Sequence, residues 1–458
     1  MGISANEKRF WGASDSETIQ NAIDYASAND LGEVTIPRLC ERTGKTVWSI
    51  DRSILLPNDM TVILEDAHLR LADGVFENIF RNSSCRTPEG NTLDGEQHGI
   101  RIIGVGNALL DGGKHNGLVE QMHRDDPEKY PCLSINLLIF LHNVRDFEIR
   151  GLHIIESRWW SICCIYCRWG RIADLDFRMY GTSENQDGVD LRVGCEFITI
   201  ENITGCTGDD TVALTALPLD DLVPETQLKV EGKAPDIHDV TIRNIISSSH
   251  GCTIIRLLCE DGAKEYNITI DGVKDTGFSI GGAAILVGIS NTMFAKDHPR
   301  RMGDLRNVVI RNVSTPSQKG ITLCEPTQDL LIENLATYGR NNIGIRLCAN
   351  FSADNVTIRN CTFRGDTEEA NCLFHLASGL PQENLAGLRI EHVHASPYPY
   401  IFRVGECAVE DLVCEPTEGR FSPEKPNLPS AYGRYHRCAF GKVIENRPKD
   451  NRFTEEKK

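Results

Sequence analysis

Ten times along this chain, a run of alternating apolar residues ends in Ile, then any residue, then Asn, Gly, Asp or His. The phrase stands at Ile102–Gly104, Ile149–Gly151, Ile172–Asp174, Ile200–Asn202 and Ile242–Asn244. It returns at Ile270–Gly272, Ile310–Asn312, Ile332–Asn334, Ile358–Asn360 and Ile390–His392. Successive intervals are 47, 23, 28, 42, 28, 40, 22, 26 and 32 residues, so most lie near one value and the long ones mark a missed copy or an inserted loop. Strand-like phrases at a period in the twenties, with few helices between them, signal a solenoid. Leucine-rich repeats share the period but need a Leu ladder, which the V-T-I-x-N phrases do not supply. β-branched residues followed by a residue that tolerates a left-handed corner fit an all-β chain, a single right-handed parallel β-helix. Only 7% of the residues are aromatic, which suits narrow interior ladders.

The ends differ from the middle. Ser14 and Glu17 stand at capping-box spacing, and Ile19, Ala22, Ile23 and Ala26 follow at helical intervals. A helix over 15–28 is therefore expected to cover the open end of the solenoid, followed by a strand at Val34–Pro37. Residues 216–236 carry Pro, Gly and acidic residues and read as an inserted surface loop. The repeat domain is assigned to 1–414, and the Pro-rich, charged stretch 415–458 to a C-terminal extension.

The chemistry concentrates in Ser183–Ala213. Asp187 precedes Asp209 and Asp210 by 22 and 23 residues, about one turn, and equivalent positions on adjacent turns stack about 4.8 Å apart. Three carboxylates are thereby brought to one patch. Adjacent residues of a regular strand face opposite ways, so a bend is required if both Asp209 and Asp210 act there. His250 follows Asp210 by 40 residues; with a roughly 20-residue insert removed, it falls on the next rung. Crowded carboxylates do not all ionise together, so one is held protonated as a general acid while another activates water, as glycosidic hydrolysis requires.

These residues resemble a known family. Asn185-Gln186-Asp187-Gly188-Val189-Asp190 is similar to the N-T-D-G-I-D motif of the polygalacturonase family, glycoside hydrolase family 28. Gly208–Ala213 resembles its G/Q-D-D-C-I-A motif, Ser249-His250-Gly251 its G-H-G, and Ser157–Ile162 its S-P-x-W-x-I segment. The resemblance implies Asp209 as general acid, Asp187 and Asp210 as the pair that holds and deprotonates water, hydrolysis with inversion, His250 in support, and no metal or other cofactor. Asn185 is carried over as a sugar contact, and Trp159 or Trp160 is read as a stacking platform with one of the two packed inward. The family's R-I-K carboxylate clamp, expected one rung after His250, is missing from Gly281–Val287. Either Arg192 and Arg256 replace it, or the sugar is neutral.

The formal charge of −17 argues against a general nucleic-acid binder, and no run of 18 apolar residues marks a membrane span. The start lacks the apolar core of an export signal, so the 17 cysteines are expected as reduced thiols in the cytoplasm. Cys163, Cys164 and Cys167 read as core rather than as a metal site, because no second ligand pair stands at zinc spacing. Gly104-Val105-Gly106 reads as a turn, and Tyr398 and Tyr400 as structural. The expected activity is an exo-acting inverting glycosidase on pectin-derived or related oligosaccharides, with the 216–236 loop blocking one end of its groove. Two alternatives stand beside it: a uronate lyase or epimerase on the same fold, and a non-catalytic carbohydrate-binding β-helix.

Overall fold

The computed structural model describes residues 2–114, 125–126, 136–179, 185–218, 228–277, 282–288, 300–339, 341, 343–364, 384 and 387–390. It describes the backbone alone at 372–376, 391–395, 400–404, 408–410, 413–419, 434–436 and 439–440. The chain divides into two compact units, Met1–Thr241 and Ile242–Lys458. Each is a stack of parallel strands, and the fold is an all-β parallel β-helix with a helix at its N-terminus.

In the first unit, one sheet stacks the strands Glu33–Pro37, Thr61–Glu65, Gln97–Val105, Val144–Arg150, Arg168–Arg178 and Glu196–Thr207. The other stacks short strands, Ile54–Leu56, Phe80–Asn82, Ile139–His142, Ile162–Ile165, Val189–Arg192 and Val212–Ala216. The register lines up Val34, Val62, Ile102, Ile149, Ile172 and Ile200, all fully buried. The isoleucine of the sequence phrase is thus the rung of an interior ladder. Ile102 pairs directly with Ile149 despite the 47-residue interval, so this long interval is an inserted loop and not a missed copy. The helix Asp15–Ala28 begins at Ser14, whose Oγ accepts from Glu17 N at 3.2 Å, and it buries Ile19, Ala22, Ile23 and Ala26. It packs on the edge strands that open the stack.

The second unit repeats the plan. Its long strands are Glu265–Asp275, Leu305–Thr315, Thr327–Thr337, Ala353–Arg359, Leu388–Ala395 and Val413–Gly419, so pairing continues beyond residue 414. Its short strands are Ile255–Cys259, Ala283–Val287, Lys319–Leu323, Ile343–Leu347, Cys372–Leu376 and Tyr400–Val404. Ile270 pairs with Ile310, which makes the 40-residue interval an insertion as well.

The Asn or Asp that closes each phrase takes positive φ, for example 56° at Asp174, 58° at Asn202 and 55° at Asn334. These short polar side chains tolerate the left-handed region and hydrogen-bond along the stack. Asn202 Nδ2 donates to Asp174 Oδ1 at 2.8 Å, Asn312 Nδ2 to Asp271 Oδ1 at 2.7 Å, and Asn334 Nδ2 to Asn312 Oδ1 at 3.1 Å. A second left-handed column opens each long strand, through Asp146, Trp169 and Phe197 in the first unit and Asn267, Asn307, Asp329 and Asn355 in the second.

The second unit also buries Glu260, Glu265 and Glu325 around Arg300, with Arg300 Nε 3.6 Å from Glu325 Oε2. Burial first, then the neighbouring Glu325, pushes the Glu260 carboxyl up to about 8. The folded chain therefore keeps a proton that the unfolded chain loses near its ordinary 4.5. Stability from this group is complete below the unfolded value and is lost as pH rises through the folded one. Glu260→Gln is expected to flatten that slope: between about pH 4.5 and about pH 8, the melting midpoint of the parent should fall relative to the variant. Parallel midpoint curves would show that Glu260 carries no such linkage.

Candidate active site

The pairing of Val189 with Val212 and of Ile162 with Val189 sets one column through Trp160, Asp187 and Asp210 at the corner before the short strands. Backbone bonds hold the corner: Ser161 N donates to Asp187 O at 2.9 Å, and Gly188 N to Asp210 O at 2.9 Å. Asp187 and Asp210 are almost fully buried, and Asp209 is half-buried. The bend required by the adjacent pair is present. Gly208 N and Asp209 N both donate to Gln186 O, at 3.1 and 3.2 Å, and Thr207 Oγ1 donates to Asp209 O at 2.7 Å. The bend brings a carboxylate oxygen of Asp209 within 4.8 Å of one from Asp210.

Asn185 and Gln186 build the rest of the corner. Asn185, at φ 60°, donates its backbone N–H to Asp209 Oδ2 at 3.0 Å. Gln186 Nε2 donates to Ser157 O at 2.6 Å, which ties the corner to the preceding turn. Asp190 and Arg192 project from the outer face of Val189–Arg192, since Val189 and Leu191 fill the interior. Arg192 lies 4.9 Å from the Trp160 ring centroid, so its guanidinium rests on that aromatic face.

The outer face of the two preceding strands is closed. Phe140, Cys163 and Ile165 are covered by Trp159, Trp160, Tyr166, Val193 and Val230, with Leu228 packed against the group. Both tryptophans belong to this apolar cluster. The covering segment is pinned by Lys233 Nζ, which donates to Glu96 Oε1 at 2.6 Å and to Asn143 Oδ1 at 2.8 Å. Part of the expected surface loop is therefore packed wall; residues 219–227 of it lie outside the described residues, as does Tyr398. Tyr400 opens the strand Tyr400–Val404.

His250 and Arg256 lie in the second unit. His250 follows the strand Ile237–Ser249 and is half-buried. Ser249 Oγ accepts from Cys252 N at 2.9 Å, and Arg256 Nη2 donates to Cys252 Sγ at 2.6 Å. The register runs Arg256, Leu286, Thr322, Arg346 across four short strands, so Leu286 occupies this column in the stretch where the clamp was sought. Arg346, with Lys319 beside it, was missed by sequence reasoning. The only signal was an offset of 36 and then 24 residues from Leu286, legible once the inserts are placed. Burial and then Arg346 hold the Lys319 ammonium below its ordinary value.

Cys163, Cys164 and Cys167 are buried and free, and burial raises the Cys163 thiol. Cys167 Sγ donates to Leu141 O, and Cys195 Sγ to Cys164 O, so these sulfurs serve the packing of the stack. Gly104 and Val105 end the strand Gln97–Val105, and the turn expected at 104–106 begins only at Gly106, at φ 69°.

Residues 84–218 match the family model described as Glycosyl hydrolases family 28, a span that includes all three aspartates. Over these residues the chain is similar to the family 28 glycosyl hydrolases. A probable polygalacturonase of Arabidopsis thaliana is 30% identical to this chain over 84 residues, 18% of the chain, and the match spans 19% of that relative's length. The A-module of a mannuronan C-5 epimerase from Azotobacter vinelandii superposes with a TM-score of 0.55 at 14% identity, over 89% of this chain and 99% of its own. The pre-mature gene product 12 of bacteriophage phi29 gives a TM-score of 0.60 at 13% identity, over 96% of this chain and 55% of its own. At these identities the two structures share the fold. Among the described residues no helix is long and apolar enough to cross a membrane.

Proposed function

We propose that the chain is a glycosidase that removes sugars from the end of pectin-derived or related oligosaccharides. The observation that carries the reading is the corner itself: Asp187 and Asp210 in one column, with Asp209 bent to within 4.8 Å of Asp210 inside the family-matched span. Asp209 protonates the leaving oxygen, while Asp187 and Asp210 hold a water and take its proton as it attacks the anomeric carbon. Asn185 supports the acid through its backbone N–H, 3.0 Å from Asp209 Oδ2, and contacts the sugar. The apolar wall over Phe140, Cys163 and Ile165 supports exo action, because a polymer cannot be threaded along a covered strand face. Arg192, on the strand that follows Asp187, supplies a cationic group for a uronate carboxylate. The free thiols fit a reducing compartment such as the cytoplasm.

A specific observation favours a second stereochemistry. The Asp209 and Asp210 oxygens lie within 4.8 Å of each other, below the roughly 6.5–9.5 Å of an inverting pair and on the side of the roughly 5–5.5 Å of a retaining one. Inversion requires the water to sit between Asp187 and Asp210, so that neither carboxylate attacks the sugar directly. A product assay on galacturonide oligomers, the polymer and neutral aryl glycosides tests the whole reading. Monosaccharide should accumulate from oligomers while polymer viscosity falls slowly, and the anomer first seen by NMR should be inverted. An unsaturated product absorbing in the ultraviolet would overturn hydrolysis, and binding across the panel without turnover would overturn catalysis.

A further inference from the structure

Two thiols of the second unit meet without any part in the proposed reaction. Cys324 and Cys348 each follow the last residue of a short strand, Lys319–Leu323 and Ile343–Leu347, and the pairing of Leu323 with Leu347 puts them one rung apart. Cys324 N donates to Val287 O and Cys348 N to Leu323 O, both at 2.9 Å, so the backbone at both cysteines is fixed by the ladder. Their sulfurs lie 3.4 Å apart. Parallel neighbours about 4.8 Å apart fall inside the roughly 4.4–6.8 Å Cα range that a disulfide spans. Bond formation therefore asks for side-chain rotation and no rearrangement of strands.

The two thiols are not equivalent. The sulfurs share one hydrogen bond that either can donate, and the charges of Arg346 and Lys319 beside Cys348 favour its thiolate against the effect of burial. The same hydrogen bond and burial raise Cys324. A thiolate is the attacking species in thiol chemistry, so Cys348 is prepared to attack and Cys324 to resolve. Elsewhere the buried Cys163, Cys164 and Cys195 are all raised by their surroundings, which leaves them inert by the same rule. Cys348 keeps only 5% of its surface exposed, which admits a small oxidant and excludes a bulky one.

We propose that Cys324 and Cys348 form a hydroperoxide-responsive dithiol whose oxidation staples two successive rungs of the second unit. Cys348 Sγ attacks one peroxide oxygen, the O–O bond breaks, and the departing hydroxide is protonated to water, leaving a sulfenic acid on Cys348. Cys324 Sγ then attacks Cys348 Sγ, the S–O bond breaks, and hydroxide leaves with the Cys324 proton as a second water. Two thiols and one hydrogen peroxide thus give one disulfide and two waters.

The test is to titrate the full-length protein with hydrogen peroxide, alkylate it under denaturing, unreduced conditions and map the peptides by mass spectrometry. The expected result is a Cys324–Cys348 cross-linked peptide pair at a dose that modifies Cys163 and Cys164 about 10-fold less. Cys324→Ser should trap a dimedone-reactive sulfenic acid on Cys348, and Cys348→Ser should leave Cys324 unmodified at the same dose. Alkylation of both cysteines in the oxidised parent protein would overturn the proposal without any variant. Equal dimedone labelling of the remaining cysteine in both variants would overturn the division of roles.

Discussion

Asp209→Asn is expected to lower turnover of natural glycosidic linkages by about 10³-fold, the middle of the range for loss of a general acid, while the protein stays folded. The fold should survive because the amide keeps the oxygen that accepts from Asn185 N at 3.0 Å, and Asp209's own backbone bonds to Gln186 and Thr207 do not involve the side chain. The amide cannot donate a proton to a departing alkoxide. An aryl glycoside with a good leaving group needs no such proton, so on that substrate the deficit should shrink to a small fraction of its size. Asp187→Asn and Asp210→Asn remove the groups assigned to the attacking water, which both substrates require, and should cost alike on both. Initial rates of the three variants on the two substrate types check this. Equal deficits for Asp209→Asn on both would remove it as the acid, and full activity would remove the site.

The site column was legible because solenoid register turns sequence distance into space. The 23 residues between Asp187 and Asp210 equal the offset that pairs Val189 with Val212. The Ile-x-Asn phrase carried both its ladder and its corner, since a buried rung and a left-handed amide are each specified by one residue type. Other parts were not legible for physical reasons. Trp169 and Phe197 occupy the second left-handed column at φ 53° and 54°, a conformation no aromatic residue advertises. Arg168 lies 4.3 Å over the Trp169 ring, and His238 meets Phe197 edge-on at 5.7 Å, so tertiary packing outweighs the local preference there. The wall over the strands preceding the site is built partly from Leu228 and Val230, inside an insert whose packing no repeat encodes. The tryptophan stacking platform expected in the groove is, for the same reason, part of that wall.

The floor beneath the site should be equally sensitive, at Gly205. This residue pairs with Phe177 across adjacent long strands and takes φ 106°, where an L side chain is strained. A Cβ there would stand 1.9 Å from Phe177 O and 2.8 Å from its carbonyl carbon, so the obstacle is backbone and has no rotamer by which to yield. Gly205→Ala is therefore expected to destabilise the protein by about 3 kcal/mol or more, the strained conformation supplying roughly 1–3 and displacement of the rung the rest. The displacement has a route to the chemistry. A Cβ on Gly188 would meet the Phe177 ring at 3.0 Å, so that ring lies directly under the residue after Asp187. Lifting Phe177 tilts the corner that holds Asp187, and activity measured well below the melting midpoint should fall together with stability. Thr204, the exposed residue beside Gly205, gives the control: it donates to Asp176 Oδ1 at 2.9 Å, and Thr204→Ala should cost about 1 kcal/mol and leave turnover unchanged. Melting midpoints at a fixed scan rate, with rates measured at low temperature, separate the two effects. A Gly205→Ala protein as stable as its parent would mean that the two strands pass farther apart than the packing of Phe177 against Gly205 requires.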